Sequence, residues 1–145
     1  ARKMGWNDVT FLGSAAVYDL VVGAAPGMEG FYGMGLTEMP YADSKLESVR
    51  QFVSTYKEKF KIDPNIGAVY GYVAADLTVQ GLVHAGKKLT TDSFIAGLEA
   101  IKDYHDIFGG PPQNFGPKTH QGANSSFLAE SKGGKWVRVS EPLGF

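Results

Sequence analysis

Cysteine is missing from all 145 residues, which excludes disulfide bridges and thiol catalysis while leaving the redox compartment open. An excess of either charge is missing too: 14 Lys and Arg stand against 15 Asp and Glu, a formal net charge of −1. Nor is there a basic run or stripe. Nucleic-acid backbones are held by clustered cations that displace counterions, so the balance argues against nucleic acid as a partner. No apolar run reaches the roughly 20 residues that a helix needs to cross a bilayer. The opening Ala1-Arg2-Lys3-Met4-Gly5-Trp6 has no apolar segment ahead of a cleavage site and does not read as a signal peptide. It reads as a basic helix tail closing at Gly5, as though cut from a longer chain.

What is present is ordinary globular material, 43% hydrophobic and 20% charged, enough for one domain with a sizeable core. A compact domain of this length buries roughly 70% of its unfolded surface, so neither metal nor disulfide is required. Nine Phe, seven Tyr and two Trp are the one compositional oddity, and core packing is their simplest use.

The stretch Tyr70 to Gly86 reads as a helix with apolar side chains nearly all round, which suits packing on more than one side. Gly86, followed by Lys87-Lys88, supplies a left-handed cap and cations near the carbonyl end. Before it, Val9 to Leu12 reads as a buried strand entering Gly13-Ser14, and Tyr18 to Val22 as a short helix. Gly30 to Leu36 reads as a second strand whose glycines admit another backbone. Ser44-Lys45-Leu46-Glu47 matches a capping box, and Leu46, Val49, Phe52, Val53, Tyr56 and Phe60 follow at helical spacing. Thr91-Asp92-Ser93 opens another helix with Phe94, Ile95, Leu98 and Ile101 on its buried face, ending before Gly109-Gly110. Ser126 to Glu130 and Trp136 to Ser140 flank Gly133-Gly134 as a hairpin. The order β, β, α, α, α and hairpin gives an α/β or α+β class.

Little in this order marks out chemistry. His84, His105 and His120 are scattered without a second ligand at zinc spacing, so no metal is implied. His84 reads as an exposed or capping residue and His120 as a loop residue bonded locally. The glycine order in Gly30 to Gly35 is wrong for a dinucleotide loop. Ser14 follows a strand, yet Gly13-Ser14-Ala15-Ala16 lacks the second glycine of a nucleophile elbow. Asp19, Glu29 and Glu38 are most simply solvent-facing or structural. Asn124-Ser125-Ser126 fits a glycosylation acceptor, a pattern short enough to arise by chance.

Several short motifs nevertheless occur in a specific order. They run from Gly5-Trp6, Val9 to Ser14 and Glu29-Gly30-Phe31 to Phe52-Val53-x-x-Tyr56-Lys57-x-Lys59-Phe60 with Pro64. Then come Tyr72-x-Ala74-Ala75-Asp76-Leu77 with Leu82-x-x-Ala85-Gly86, Phe94-Ile95-x-x-Leu98-Glu99, Gly116-Pro117-x-x-His120 and Gly134-Lys135-Trp136-Val137-x-Val139. In that order they resemble the type I periplasmic solute-binding proteins of ABC importers, in the leucine/branched-chain amino-acid class. The resemblance implies an α/β chain that forms the C-terminal part of a fold of two α/β lobes joined by hinge crossovers, with the N-terminal portion missing. Residues 1–40 would belong to the second lobe and 41–117 would be helices of the first. Residues 118–145 would be the return crossover and the C-terminal hairpin of the second lobe. Such a piece would leave large apolar helix faces uncovered, as in a truncated chain, a proteolytic product or a chain completed by a partner. Composition alone suggests a self-sufficient domain, so the two expectations conflict.

The function the resemblance implies is capture of a small solute between the lobes, hinge closure, and delivery to an ABC permease in the membrane from the periplasm or a tethered extracellular position. No bond is made or broken and no cofactor is needed. Two pocket positions carry over. One is the loop Ser14-Ala15, where amino-acid binders of the family often hold an acid for the ligand ammonium and this chain has none. The other is the helix entry Gly67-Ala68-Val69-Tyr70, where small residues widen the pocket and Tyr70 can stack or donate. A bulkier solute, aromatic or acidic, fits that pair. A ligand-sensing domain of a receptor or regulator is the alternative reading, and an enzyme would need a constellation that is not found.

Overall fold

The computed structural model describes residues 2–144, and absences below refer to these. A 3₁₀ turn at Arg2–Met4 closes at Gly5, φ +78°, and precedes β1, which is only Leu12–Gly13. The predicted buried strand is instead a sheet edge, with Leu12 62% exposed. A 3₁₀ turn at Ala15–Val17 leads to the short helix α1, Leu20–Gly23, which Asp19 caps by accepting the Val21 amide at 2.8 Å. Strand β2, Tyr32–Gly35, pairs parallel with β1 and antiparallel with β3, Ser125–Lys132. From β3 the chain turns through Gly133-Gly134 into β4, Lys135–Arg138, and β5, Leu143–Gly144, pairs with the start of β3. Both turn glycines have positive φ, 57° and 77°, as a tight two-residue hairpin loop requires, so the hairpin stands as the sequence predicts.

The glycines around β2 do not admit a neighbouring backbone. They admit rings: a Cβ on Gly33 would lie 3.1 Å from Trp136, and one on Gly35 would lie 2.4 Å from Phe127.

Between β2 and β3 the chain leaves the sheet for three longer helices. Helix α2, Glu47–Phe60, buries Val49 and Val53. Its start corrects the capping-box prediction, because Ser44 Oγ accepts from the Leu46 amide at 3.2 Å and not from Glu47. The reason is Arg50, whose Nη1 donates to the Ser44 and Lys45 carbonyls at 2.6 and 3.0 Å. Those carbonyls are held outside the helix, and the serine closes a short local turn instead.

Helix α3, Ile66–Ala85, begins one turn before Tyr70, because Asn65 caps it by accepting the Ala68 amide at 3.0 Å. It stops at Gly86, whose φ of +74° comes with ψ of −167°, a glycine-only extended form and not the left-handed helical cap the sequence predicts. By length and composition alone α3 could cross a membrane, which corrects the reading that no such segment exists. Only Val69, Val73 and Gly81 of this helix are buried, while Val79 is 56% and Val83 71% exposed. Packing thus covers the sides toward α2 and α4, and a broad apolar face stays open.

Helix α4, Thr91–Glu99, carries the true capping box: Thr90 and Ser93 exchange side-chain and backbone hydrogen bonds at 2.9 and 3.1 Å. It ends earlier than predicted, Ile95 is exposed, and Ile101 is buried just beyond it. Helices α3 and α4 cross on nearly bare backbone, since a Cβ on Gly97 would lie 2.3 Å from the Gly81 carbonyl oxygen.

Two separate apolar clusters result. One gathers Val49, Val53, Val69, Val73, Tyr104 and Phe108 of the helical side; the other gathers Tyr18, Met39, Phe127, Ala129 and Trp136 on the sheet. Ile66, the first residue of α3, packs against both. Where the chain crosses between them, the Glu38 amide donates to the Phe108 carbonyl at 2.9 Å.

Candidate binding site

The predicted site residues lie on two elements, the 3₁₀ turn beside β1 and the first turns of α3. Ser14 and Ala15 open the 3₁₀ turn beside β1, both exposed, with the Ser14 hydroxyl accepting the Ala16 amide at a long 3.3 Å. Gly67, Ala68 and Tyr70 form the first turn of α3, which Ile66 seats on both clusters. Tyr18, directly after the 3₁₀ turn, is buried in the sheet-side cluster against Phe127 and Trp136. Its hydroxyl is held well above the ordinary tyrosine range, first by burial and then by the charges of Tyr41, Glu38 and Tyr70. Burial also raises the Tyr70 hydroxyl.

Tyr70 lines an open, mostly apolar cavity of about 440 Å³ with Leu36, Val73, Leu77 and Pro111. Ser14, Ala15, Gly67 and Ala68 are not part of its wall. Thr37 is, and sequence reasoning missed it: the residue is 4% exposed and its hydroxyl has no hydrogen-bond partner among the described residues. No local pattern marks a threonine just past a strand, so only the crossing of the chain reveals it.

Two carboxylates lie at the crossing: Glu38, whose charge acts on Tyr18, and Asp106, whose Oδ1 accepts the Phe108 and Gly110 amides while its Oδ2 is buried without a partner among the described residues. Asp19, the nearest acid in sequence to the Ser14-Ala15 loop, uses Oδ1 to cap α1. The first amides of α3 lack intrahelical partners and form the positive end of a twenty-residue helix, which favours an anionic neighbour.

The histidines lie elsewhere. His84 Nδ1 is 3.2 Å from the Gly97 carbonyl, and His120 meets Glu99 at 2.9 Å across the fold, not the local partner the sequence predicts. Among the described residues no three of His, Cys, Asp and Glu gather closely enough to hold a metal ion.

Comparison with known proteins gives this geometry a context. A family model described as periplasmic binding protein matches residues 1–135. No curated protein sequence matches the chain. Among solved structures, a fatty acid ABC transporter substrate-binding protein from Thermomonospora curvata superposes with a TM-score of 0.80 at 24% identity, over 100% of this chain and 39% of that one. A branched-chain amino acid ABC transporter protein from Thermus thermophilus with bound valine gives 0.79 at 20% identity, over 100% and 41%. A solute-binding protein of an ABC transporter from R. palustris in complex with benzoate gives 0.67 at 22%, over 94% and 38%. This chain therefore spans about two fifths of the length of the structures it resembles. At these identities the likeness shows the fold, a mixed α/β chain matching part of the type I periplasmic-binding-protein architecture. With the family model matched over 135 of its 145 residues, the chain belongs to the periplasmic binding protein family.

Proposed function

We propose that this chain is the C-terminal portion of the extracytoplasmic solute-binding component of an ABC importer. It captures a small organic solute, an amino acid or an aromatic or aliphatic carboxylate, between two lobes by hinge closure, and it performs no catalysis. The observation that carries this reading is the pair of separate apolar clusters that Ile66 bridges at the start of α3, where Gly67, Ala68 and Tyr70 follow. A ligand that contacts both bodies only when they approach shifts the open–closed equilibrium by its own binding energy. The rest of the grip comes from polypeptide outside this chain, either the N-terminal part of the same protein or a completing chain, which also covers the open face of α3. The closed, ligand-loaded form is the one delivered to the membrane permease.

Within that class the Ser14-Ala15 loop favours a carboxylate without an ammonium group. Asp19 is engaged as a helix cap, and no other acid lies in the Ser14-Ala15 loop. A buried ammonium left without a partner loses several kcal/mol, enough to forfeit a few decades of affinity. The names of the similar structures, which include fatty acid, valine and benzoate, span both kinds of solute. A thermal-shift screen of the full-length protein against amino acids, aromatic acids and aliphatic acids decides between them. A ligand at about 100 times its dissociation constant stabilises by roughly 2.7 kcal/mol. Aromatic or aliphatic acids are expected to raise the melting temperature; stabilisation by valine or leucine alone would overturn the preference, and no stabilisation by any small acid would overturn the reading itself.

A further inference from the structure

The chain that leaves β2 for α2 is tied down twice before it reaches the helix. Tyr41 packs in the sheet-side cluster, and its hydroxyl accepts the backbone amide of Trp136 at 2.8 Å. Two residues on, Asp43 Oδ2 meets Lys135 Nζ at 2.5 Å, and the same ammonium lies 5.3 Å from the centre of the Tyr41 ring. Residues 41 and 43 are thus clasped by residues 135 and 136 of the hairpin. Among the described residues this is the one ion pair that joins the hairpin to the chain leading into α2; Lys57–Asp63, Lys132–Glu130 and Arg138–Glu141 are all local in sequence. The clasp spans an open groove of about 640 Å³, lined on one side by residues 38–45 and on the other by residues 135–141. Leu46, immediately beyond it, already packs in the helical cluster.

We infer that this clasp sets the length of the hinge. With it closed, the sheet-side body extends through Asp43 and meets Ser44-Lys45, which Arg50 holds to α2, so bending of this crossover is confined to the junction between Asp43 and Ser44. With it open, the bend spreads back along the crossover toward the Glu38–Phe108 hydrogen bond, and the two bodies sample a wider range of angles. An exposed ion pair is weak and screened by salt, but a hinge equilibrium needs only a small bias. The clasp acts as an adjustable stop that fixes the resting angle before any solute arrives. This inference rests on the hinge-closure reading, but its test needs no solute.

Spin labels are placed on cysteines introduced at the exposed Val21 and Glu58 of the full-length protein, one on each body, and their distance distribution is measured without ligand. Asp43→Ala is expected to broaden and shift the distribution, changing the ratio of the two main populations by up to about fivefold. Tyr41→Phe, which keeps the ring and removes the acceptor of the Trp136 amide, is expected to do the same. The exchanged pair Asp43→Lys with Lys135→Glu restores more than half of the shift, and 1 M salt reproduces the effect of Asp43→Ala in the wild type. An unchanged distribution in Asp43→Ala, or no recovery in the exchanged pair, overturns the inference. Failure of every solute in the thermal-shift screen overturns the functional reading and leaves this measurement standing by its own result.

Discussion

Gly97→Ala sets two effects of opposite sign against each other. In an isolated helix the change would help, since alanine exceeds glycine in helix propensity by about 1 kcal/mol. In this fold the new methyl would lie 2.3 Å from the Gly81 carbonyl oxygen and 3.0 Å from the Ala85 nitrogen, both backbone atoms that cannot rotate away. Helix α4 must then lift from α3 by about an ångström, loosening Phe94 and Leu98 where they meet Gly81. Overpacking costs roughly 1–3 kcal/mol, and a clash with fixed backbone stands at the upper end, about 3; less the propensity gain of about 1, the net loss is about 2 kcal/mol. Thermal and urea unfolding of the full-length protein measure it, with a fall in melting temperature of roughly 4–8 °C. Ala96→Gly, at an exposed neighbouring position of α4, calibrates the propensity contribution at about 1 kcal/mol. A Gly97→Ala protein as stable as wild type, or more so, would show that the two helices do not touch through their backbones.

Three further outcomes follow from the same structure. Gly33→Ala pushes a methyl to 3.1 Å from the Trp136 ring, and is expected to shift the emission of that tryptophan to the red as the indole is displaced toward water. Asn65→Ala removes the cap of α3 and should cost about 1 kcal/mol in urea unfolding, whereas Asn65→Asp should cost little, because a carboxylate caps as well. Tyr18 and Tyr104 are both raised above the ordinary value of 10.0, chiefly by burial, and Tyr104 also by its hydrogen bond to Asp76. A group raised on folding contributes stability below its unfolded value and loses it as pH climbs, so stability falls above pH 10 and Tyr18→Phe with Tyr104→Phe should flatten that decline in a denaturation series.

The elements that were legible in the sequence are those whose signal is local. The Gly133-Gly134 turn with its alternating flanks and the spacing of Val49, Phe52, Val53 and Tyr56 need no distant partner to be read. Where a local motif competes with a side chain from elsewhere, the motif loses: Ser44 matches a capping box, and Arg50 takes the neighbouring carbonyls away from it. The start of α3 is obscured because Pro64 reads as the end of the previous helix, while Asn65 beside it begins the next. Burial of Leu12 and Ile95 could not be read at all, because an apolar run does not say whether its strand is an edge or which helix face meets a neighbour. The site shows the same limit. Ser14, Ala15, Gly67, Ala68 and Tyr70 come from family resemblance, and of these only Tyr70 lies on the wall of the apolar cavity. The buried hydroxyl of Thr37 and the pairing of His120 with Glu99 depend on contacts made only after the chain has crossed.

Helix α3 carries one formally charged side chain, Asp76 near its middle, and the folded protein uses it to receive the Tyr104 hydroxyl at 2.8 Å. A polypeptide threaded unfolded through a secretion channel would offer this same segment to the surrounding lipid as a candidate for lateral release. An aspartate at the centre of such a segment raises the insertion free energy by about 2.5–3.5 kcal/mol. On the extracytoplasmic reading proposed above, one carboxylate would serve the protein at two moments, first turning an oily stretch away from the bilayer in transit and later fastening the finished helix to its neighbour.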